Sequence, residues 1–229
     1  MFNTNVCIKR RDGFMDQVDN AISKERLLDA AEALFAEKGF HAVTVREITR
    51  AAHCNLAAVN YYFGNKQKLY LEVFRARWIP RARKIQAGFK DALSARDGQS
   101  LTDIVHALAE AFLKGPLTDD ERLRHAQLMI REMVMPTPAA DILVEQVIQP
   151  FFGELAILLR PFLARQTERE QVMLNILSVF SMVIYFNFAR LPVMRVTGRE
   201  YDDDFKERLV EHIVQFSLKG LGVNREEGA

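Results

Sequence analysis

Residues 44–66 read TVREITRAAHCNLAAVNYYFGNK, and their pattern predicts the architecture of the N-terminal part of the chain. Thr44 and Glu47 have the spacing of a capping box, which predicts a short helix that begins near Val45. Three residues that break the helical pattern follow, and Asn55 is expected to cap a second short helix. Two short helices joined by a tight turn make a helix-turn-helix motif.

The segments on either side of this motif predict a small helical head. A preceding helix is expected from about Lys24 to Lys38, and Gly39 should end it because glycine enters the left-handed region at little cost. Asn65 is expected to cap the next helix, which Pro80 should kink or break because proline lacks the backbone N–H. The apolar stripe of the first helix is Leu27, Leu28, Ala31, Leu34 and Phe35.

The helix of residues 23–38, the Gly39-Phe40 pair, the capped TVREI and the run NYYFGNKQKLY together resemble a TetR-type repressor. The longer run NYYFGNKQKLYLEV is similar to that of CecR-like regulators, a branch with a distinctive C-terminal domain. The resemblance implies an all-α fold, in which an N-terminal three-helix DNA-binding head precedes a C-terminal helical domain for ligand binding and dimerisation.

Three segments are expected on this basis. They are a flexible tail at 1–22, the DNA-binding head at 23–83 and the effector-binding and dimerisation domain at 84–229. The charge distribution fits this order, although the net charge is only +1. Residues 1–90 contain 16 Lys+Arg against 9 Asp+Glu, a net +7, whereas residues 91–229 contain 15 against 21, a net −6. A basic front suits an anionic polymer, and a merely solvated basic face is the alternative interpretation.

The second helix of the motif is the one that would enter the major groove of DNA. Asn60 has the only long amide in the body of that helix, and asparagine can pair with adenine through two hydrogen bonds. The resemblance places Tyr61, Lys66 and Thr44 at phosphate contacts, and Arg46 either there or in solvent. The complete set of expected DNA contacts is Thr44, Arg46, Asn55, Leu56, Ala57, Ala58, Asn60, Tyr61 and Lys66.

The sequence departs from the family pattern within the motif. His53 replaces the usual glycine of the turn, which weakens the expectation of a positive φ there. Leu56 replaces a position that is commonly polar. Cys54 is interpreted as a small buried hydrophobic residue. A zinc site that joins Cys54 to His41 or His53 would need a spaced set of four ligands, which the sequence lacks, so neither a metal nor another cofactor is predicted.

The chain after Lys90 is helical in pattern throughout. Capping pairs are predicted at Ser100–Asp103, Thr118–Glu121 and Thr167–Glu170, and interruptions are expected near Pro150 and Pro161. The segment LPVMRVTGREY is expected to be a loop before a last helix from about 203 to 219. The long helix 168–190 is apolar on more than one face, which predicts burial on several sides.

A homodimer is expected because the resemblance pairs the last two long helices of each subunit in a four-helix bundle. A twofold axis would place two recognition helices about 34–36 Å apart, in successive major grooves of a pseudo-palindromic operator. The residues expected at the interface are Leu174, Leu177, Leu209, Ile213 and Phe216.

A ligand pocket for a small, apolar effector is a further implication of the resemblance. Phenylalanine and methionine at helical spacing belong more often to a core than to a pocket, so the core interpretation stays open. The residues selected as candidate ligand contacts are Phe112, His125, Met129, Met133, Phe152, Phe180, Tyr185 and Phe186.

Other functional classes receive less support. No nucleophile elbow, metal-ligand spacing, glycine-rich phosphate loop or paired-carboxylate motif indicates an enzyme. A helical carrier of hydrophobic molecules would not need the basic head, and a constitutive DNA-binding protein would not need the pocket. The sequence contains no continuous run of about 18 apolar residues, so no membrane-spanning helix is predicted. The N-terminus lacks the apolar core of a signal peptide, so a cytoplasmic, ligand-responsive repressor is expected, with Met1 or Met15 as its natural start.

Overall fold

The computed structural model describes residues 8–96 and 100–222, with side chains from Asn20 onward. Every regular element in these two ranges is a helix. The α-helices are α1 Ile8–Lys38, α2 Val45–Ala51, α3 Ala57–Phe63, α4 Lys66–Val73, α5 Ile79–Ser94, α6 Leu101–Leu113, α7 Asp119–Val134, α8 Pro138–Leu143, α9 Gln149–Leu159, α10 Arg169–Phe188, α11 Arg190–Thr197 and α12 Asp203–Gly220. The all-α prediction is therefore confirmed.

The chain forms two compact units. Unit 1 extends to Ile79 and also contains Arg124–Ala140, whereas unit 2 contains Pro80–Leu123 and the chain from Asp141 onward. The functional boundaries expected from the sequence, 23–83 and 84–229, stay predictions.

Unit 1 has a continuous apolar core, which holds the helix-turn-helix motif against α1 and α4. Full burial is shared by side chains at helical spacing in α1 and by Ile48 of α2, Val59 of α3 and Leu69 of α4. The π-helical turn Phe74–Trp78 continues α4, and Arg77 in this turn binds Glu25 and Asp29 of α1 at 2.5 and 3.0 Å. The fully buried α1 members of this core are Leu27, Ala31 and Phe35.

The second chain segment of unit 1 makes specific polar contacts with the first. The Tyr70 hydroxyl donates to Oε1 of the buried Glu132 at 2.5 Å. The Trp78 indole N–H donates to the His125 carbonyl at 3.0 Å, and the two rings stack with their centroids 4.2 Å apart. Burial and the Glu132 carboxylate both raise the pKa of Tyr70, so its hydroxyl keeps the proton that it donates.

Helix α1 begins much earlier than expected. The segment 1–22 was predicted to be a flexible tail, but its described part is helical from Ile8 onward. Residues 1–7 lie outside the described residues. The segment has no sustained apolar period, which is why a tail was expected. Each residue added to an existing helix gains one hydrogen bond at little cost, so a segment without proline can continue the helix without such a period.

Neither Pro80 nor Pro150 breaks its helix. A π-helical turn precedes each proline, Phe74–Trp78 in one case and Val144–Ile148 in the other. The N–H of Ile79 donates to the Phe74 carbonyl five residues back, and the N–H of Gln149 donates to Val144 in the same way. The wider turn lets the helix continue past a residue that has no N–H. The predicted interruption near Pro161 is a 3₁₀ turn, Arg160–Phe162.

Unit 2 has its own core, in which α6 packs against α12, α10 and α9. Ser100 and Asp103 form the predicted capping box of α6, and Thr118 and Glu121 exchange the predicted hydrogen bonds at the start of α7. Two T-shaped ring contacts, Phe89–Phe151 and Phe112–Phe180, lie in this core, with centroids 5.6 and 5.2 Å apart.

Two predictions for unit 2 are wrong. Thr167 does not cap α10: the N-cap is Glu168, without a side-chain hydrogen bond. The Thr167 carbonyl instead accepts from Arg160 at 2.9 Å, which fixes this residue in the preceding turn. The expected loop LPVMRVTGREY is mostly the helix α11, which Gly198 ends with φ +68°. Pro192 is compatible with that helix because it occupies the first turn, where an N–H has no partner.

Two helical segments are long and apolar enough to cross a membrane by length and composition alone, Pro138–Phe162 and Arg169–Phe188. The core helix of a soluble protein passes the same test. Each contributes buried side chains to the core of unit 2, among them Leu155 and Ile176. Packing in the core of unit 2 therefore accounts for part of the apolar composition of both segments.

Candidate nucleic-acid interface

The capping box at the start of α2 is present as predicted. The Thr44 hydroxyl accepts from the Glu47 N–H at 3.2 Å, and Glu47 Oε2 accepts from the Thr44 N–H at 2.8 Å. Lys38 Nζ lies 3.3 Å from the other carboxylate oxygen. These contacts, chiefly the hydrogen bond from the Thr44 backbone, lower the pKa of Glu47 to about 2. The first turn of α2 is therefore fixed while Thr44 remains exposed.

The turn between α2 and α3 keeps the left-handed geometry that glycine usually provides. His53 has φ +53°, so its substitution for glycine did not remove the positive φ. Histidine is one of the few non-glycine residues enriched in this region. The Cys54 N–H donates to the Thr49 carbonyl at 2.9 Å and closes the turn. Cys54 itself is a half-buried free thiol and not the fully buried residue that was expected.

Helix α3 begins one residue later than expected. Its N-cap is Leu56, in a helical conformation and without a side-chain cap, so Asn55 does not cap the helix with its side chain. Asn55 takes part through its carbonyl, which accepts from the Ala58 N–H at 3.1 Å. Asn65, in contrast, caps α4 as predicted, because its side chain accepts from the Lys68 N–H at 2.8 Å.

Helix α3 has one face in the core and one face in solvent. Val59 and Phe63 are buried, whereas Asn60 is exposed and Tyr61 is 74% exposed. Nearly the whole set of residues predicted to contact DNA is accessible on the same short motif. Its exposed members are Thr44, Arg46, Asn55, Leu56, Ala57, Asn60 and Tyr61, and its half-buried members are Ala58 and Lys66.

Two contacts at this surface were not anticipated from the sequence. The Tyr62 hydroxyl donates to Asn20 Oδ1 of α1 at 2.8 Å, which fixes α3 against α1. Lys66 Nζ lies 4.4 Å from the centroid of the Phe40 ring, a cation–π geometry, and partial burial lowers the pKa of Lys66. The sequence signals for these contacts are the pair Tyr61-Tyr62 and Phe40 after the helix-ending Gly39, but neither signal specifies a contact partner.

Comparisons with known proteins identify this architecture. Residues 27–73 match the model of bacterial regulatory proteins of the tetR family, and residues 99–221 match the C-terminal domain of the HTH-type transcriptional dual regulator CecR. The chain belongs to the TetR family. It is a DNA-binding transcriptional regulator and not an enzyme, and it has the CecR type of C-terminal domain.

Individual relatives of this TetR-family chain agree with that assignment. The HTH-type transcriptional dual regulator CecR of Shigella flexneri is 28% identical over 201 residues, which cover 84% of this chain and 87% of that protein. Among solved structures, a transcriptional regulator from Rhodococcus sp. Rha1 has a TM-score of 0.60 at 18% identity, with 88% of this chain and 98% of that chain covered. The fatty acid degradation regulator FadR from Bacillus halodurans has the same TM-score at 19% identity, with coverages of 87% and 96%.

The candidate ligand residues of the TetR-family chain are divided between the two units. His125, Met129 and Met133 belong to α7 within unit 1, where His125 is buried beneath Trp78 and Met133 is exposed. The other five belong to unit 2. Among these, the Phe180 ring contacts both Phe112 and Phe152, with centroids 5.2 and 5.0 Å apart, so these three rings fill space by packing on each other. The remaining two are Tyr185 and Phe186, which line a surface depression with Phe216.

The candidate dimer residues also separate into two groups. Leu209 and Ile213 are buried in the core of unit 2, because α12 packs this stripe on α6, and they leave no surface for a partner. Leu174, Leu177 and Phe216 are exposed by about half or more of their surface, at 47%, 49% and 60%. The accessible apolar face is therefore on α10 and on the outer side of α12.

Metal-type ligands approach one another in unit 2, and neither Cys54 nor His41 nor His53 belongs to this group. Within the described residues, one such group consists of His106 on α6 with Glu207 and Glu211 on α12, and their ligand atoms lie within 4.8 Å of each other. Lys114 already forms an ion pair with Glu207. The group therefore belongs to a network of charges between these two helices.

Proposed function

We propose that the protein is a homodimeric repressor that binds a pseudo-palindromic operator and is released by a small apolar effector. The observation that carries the proposal is the exposed apolar face of α10 and α12. Leu174, Leu177, Tyr185 and Phe216 all lie on these two helices and are 47–60% exposed. A depression of about 300 Å³ lies between Met182, Tyr185 and Phe216, and a side chain of a second copy could fill it.

Simple energetics favour a persistent dimer. Burying one large apolar side chain contributes about 1.5–3 kcal/mol. The four side chains of the face are only 47–60% exposed, so burying each one contributes part of this amount, but a twofold axis uses each of them twice against a single cost of association. The same axis would place two copies of α3 in successive major grooves, about 34–36 Å apart.

The proposed roles on DNA follow from exposure and chemistry. Asn60 would read adenine, whereas Thr44, Arg46, Tyr61 and Lys66 would contact phosphates. Leu56 and the alanines near the start of α3 would offer methyl groups to thymine. A regulator with these contacts acts where the chromosome is, which supports a cytoplasmic location.

Effector release is supported by the candidate residues in unit 2 that remain accessible, Tyr185 and Phe186. Because the second copy would cover the same depression, a ligand held there would change how the two copies pack and shift the population of dimers toward a head spacing that misfits the operator. A constitutive regulator without an effector is the competing proposal. The relative from Shigella flexneri is called a dual regulator, so activation should be measured beside repression.

A gel shift on the DNA upstream of the protein's own gene, combined with sedimentation, tests this function. We expect a dimer at micromolar concentration, a sequence-specific shift and loss of that shift with an apolar effector. A monomer that still protects a site with two half-sites would contradict the dimer. A specific shift that no candidate effector changes would favour the constitutive regulator.

A further inference from the structure

A cavity of about 440 Å³ lies within unit 1, close to the helix-turn-helix motif. One wall is the end of α1 and the residues Gly39 to Ala42 that lead to the Thr44 cap. The opposite wall is the end of α7, and Tyr70 of α4 lies between them. Neither the ligand residues chosen from the sequence nor the DNA contacts chosen from it line this cavity.

The polar groups in the floor of the cavity satisfy each other. Glu132 is 3% exposed, and its carboxylate accepts from the Tyr70 hydroxyl, from the Thr137 N–H at 2.8 Å and from the Thr137 hydroxyl. A buried carboxylate with three donors needs no further partner. The floor is therefore preformed, and the recognition of a ligand depends on the walls.

The walls carry positive charge. The Arg131 Nε donates to the Ala36 carbonyl at 2.9 Å, and its guanidinium also donates to the Glu37 carbonyl. Backbone carbonyls accept these hydrogen bonds without neutralising the cation, and no carboxylate among the described residues is paired with Arg131. Lys38 lines the same cavity, but Glu47 already pairs with its ammonium at 3.3 Å, so Arg131 is the cation on which an anion site would depend. An anion would thus meet a guanidinium whose charge is not compensated.

The remaining surface of the cavity is apolar and accessible. Ile130, Val134 and Met135 are 43%, 73% and 62% exposed, and Phe40 lies opposite them in the lining. We propose that this cavity is a binding site for an amphipathic organic anion, whose carboxylate pairs with Arg131 and whose apolar body covers the exposed end of α7.

Occupancy of this site should weaken operator binding, and this second step rests on the proposed function. Residues 39–42 form a wall of the cavity and connect α1 to the Thr44 cap of α2. A Cβ added at Gly39 would lie 2.9 Å from Arg131 Nη1, so the guanidinium packs directly on this connection. A ligand that draws Arg131 away from the Ala36 and Glu37 carbonyls would release one anchor of the connection.

Calorimetric titration of the full-length protein with naphthoate and with its neutral amide, naphthamide, tests the site without DNA. The two probes have the same shape and differ in charge. We expect naphthoate to bind at least about tenfold more tightly than naphthamide, as a charge-assisted pair requires. Arg131→Met should remove that preference, while naphthamide binding stays within about twofold because the apolar surface is kept.

A second variant protects the test against a folding defect. Val134 is largely exposed, so Val134→Asp should fold and weaken both probes, whereas Val196→Asp, at an exposed valine of unit 2, should change neither. Equal affinity for the two probes, or an Arg131→Met variant that retains the preference for naphthoate, would overturn the site. A gel shift without probe reports on the proposed function separately. A normal shift that naphthoate leaves unchanged at saturation would overturn only the effect on operator binding.

Discussion

At the scale of single residues, Asn60 is the side chain whose chemistry can specify a base. It is exposed on α3, whereas Val59 and Phe63 of the same helix are buried. If its amide reads adenine, Asn60→Ala should cost roughly 1–3 kcal/mol per half-site and relax the preference at one base pair. Binding measured on the operator, on operators with single changes and on random DNA checks this. Equal losses on all of these sequences would contradict a role in base reading.

Lys66 should act on DNA of any sequence. Its ammonium lies over the Phe40 ring, which positions the charge close to the motif. Lys66→Ala should weaken binding to all DNA and lower the slope of log affinity against log salt by about one unit per subunit. Lys90→Ala provides the matched control, because Lys90 is paired with Glu154 in unit 2. If the salt dependence of DNA affinity has the same slope for Lys66→Ala and Lys90→Ala, Lys66 does not contact phosphate.

Glu47 gives the stability of the motif a dependence on pH. Its folded-state pKa is about 2, below the ordinary value of 4.5, because the Thr44 N–H and hydroxyl donate to the carboxylate and Lys38 adds its charge. A depressed pKa contributes stability above pH 4.5, and this contribution is lost as the pH falls toward 2. Glu47→Gln keeps an acceptor for the cap but cannot titrate. The free energy of unfolding, measured with denaturant from pH 6 to pH 2.5, should therefore fall more steeply for the wild type than for Glu47→Gln. Parallel pH curves for the two proteins would contradict this.

Local hydrogen bonds decide which residue-level predictions succeed. Thr44 with Glu47, and Asn65 with the Lys68 N–H, are correct because each cap is made within one helical turn. Asn55 fails because its carbonyl, rather than its side chain, meets the start of α3. Lys66 over Phe40 joins residues 26 positions apart, and spacing carries no information about such a contact.

At the scale of helices, the end of α1 is the position most sensitive to backbone geometry. Gly39 has φ +83°, and an added Cβ would lie 2.9 Å from Arg131 Nη1. Gly39→Ala should therefore lower the free energy of unfolding by about 1–2 kcal/mol. Gly153→Ala is the matched control, since that glycine lies within α9 with no atom near its Cβ position, and it should stabilise by about 0.5–1 kcal/mol. Thermal unfolding of both variants checks the opposite signs.

Helix ends were harder to predict than helix existence. Apolar spacing and caps identified α2, α6, α7 and α12 to within about a residue or two. Pro80 and Pro150 were expected to interrupt, but a π-helical turn before each one accommodates the missing N–H. A proline in the sequence shows that one backbone hydrogen bond of the helix is absent. It does not show whether the helix bends there or continues through a wider π-helical turn.

At the scale of the whole molecule, the exposed apolar face controls assembly. Phe216 is 60% exposed, so Phe216→Asp should leave the subunit folded and its helical circular dichroism unchanged. The variant should sediment as a monomer and lose specific DNA binding, because a buried, unpaired charge at the interface costs several kcal/mol. Val196→Asp, at a valine that is 86% exposed on α11, should remain dimeric. Loss of the helical signal in Phe216→Asp would instead place Phe216 in the subunit core.

The two-segment construction of unit 1 has a consequence for protein engineering. A chimera that exchanges only residues 27–73, the stretch that the tetR family model matches, would graft a head without the partners that complete it. Tyr70 would arrive without Glu132, and neither Trp78 nor His125 would be in the transplant. A transferable head must carry both pieces of chain, so regulators of this kind should be recombined at three junctions, after Ile79, before Arg124 and after Ala140.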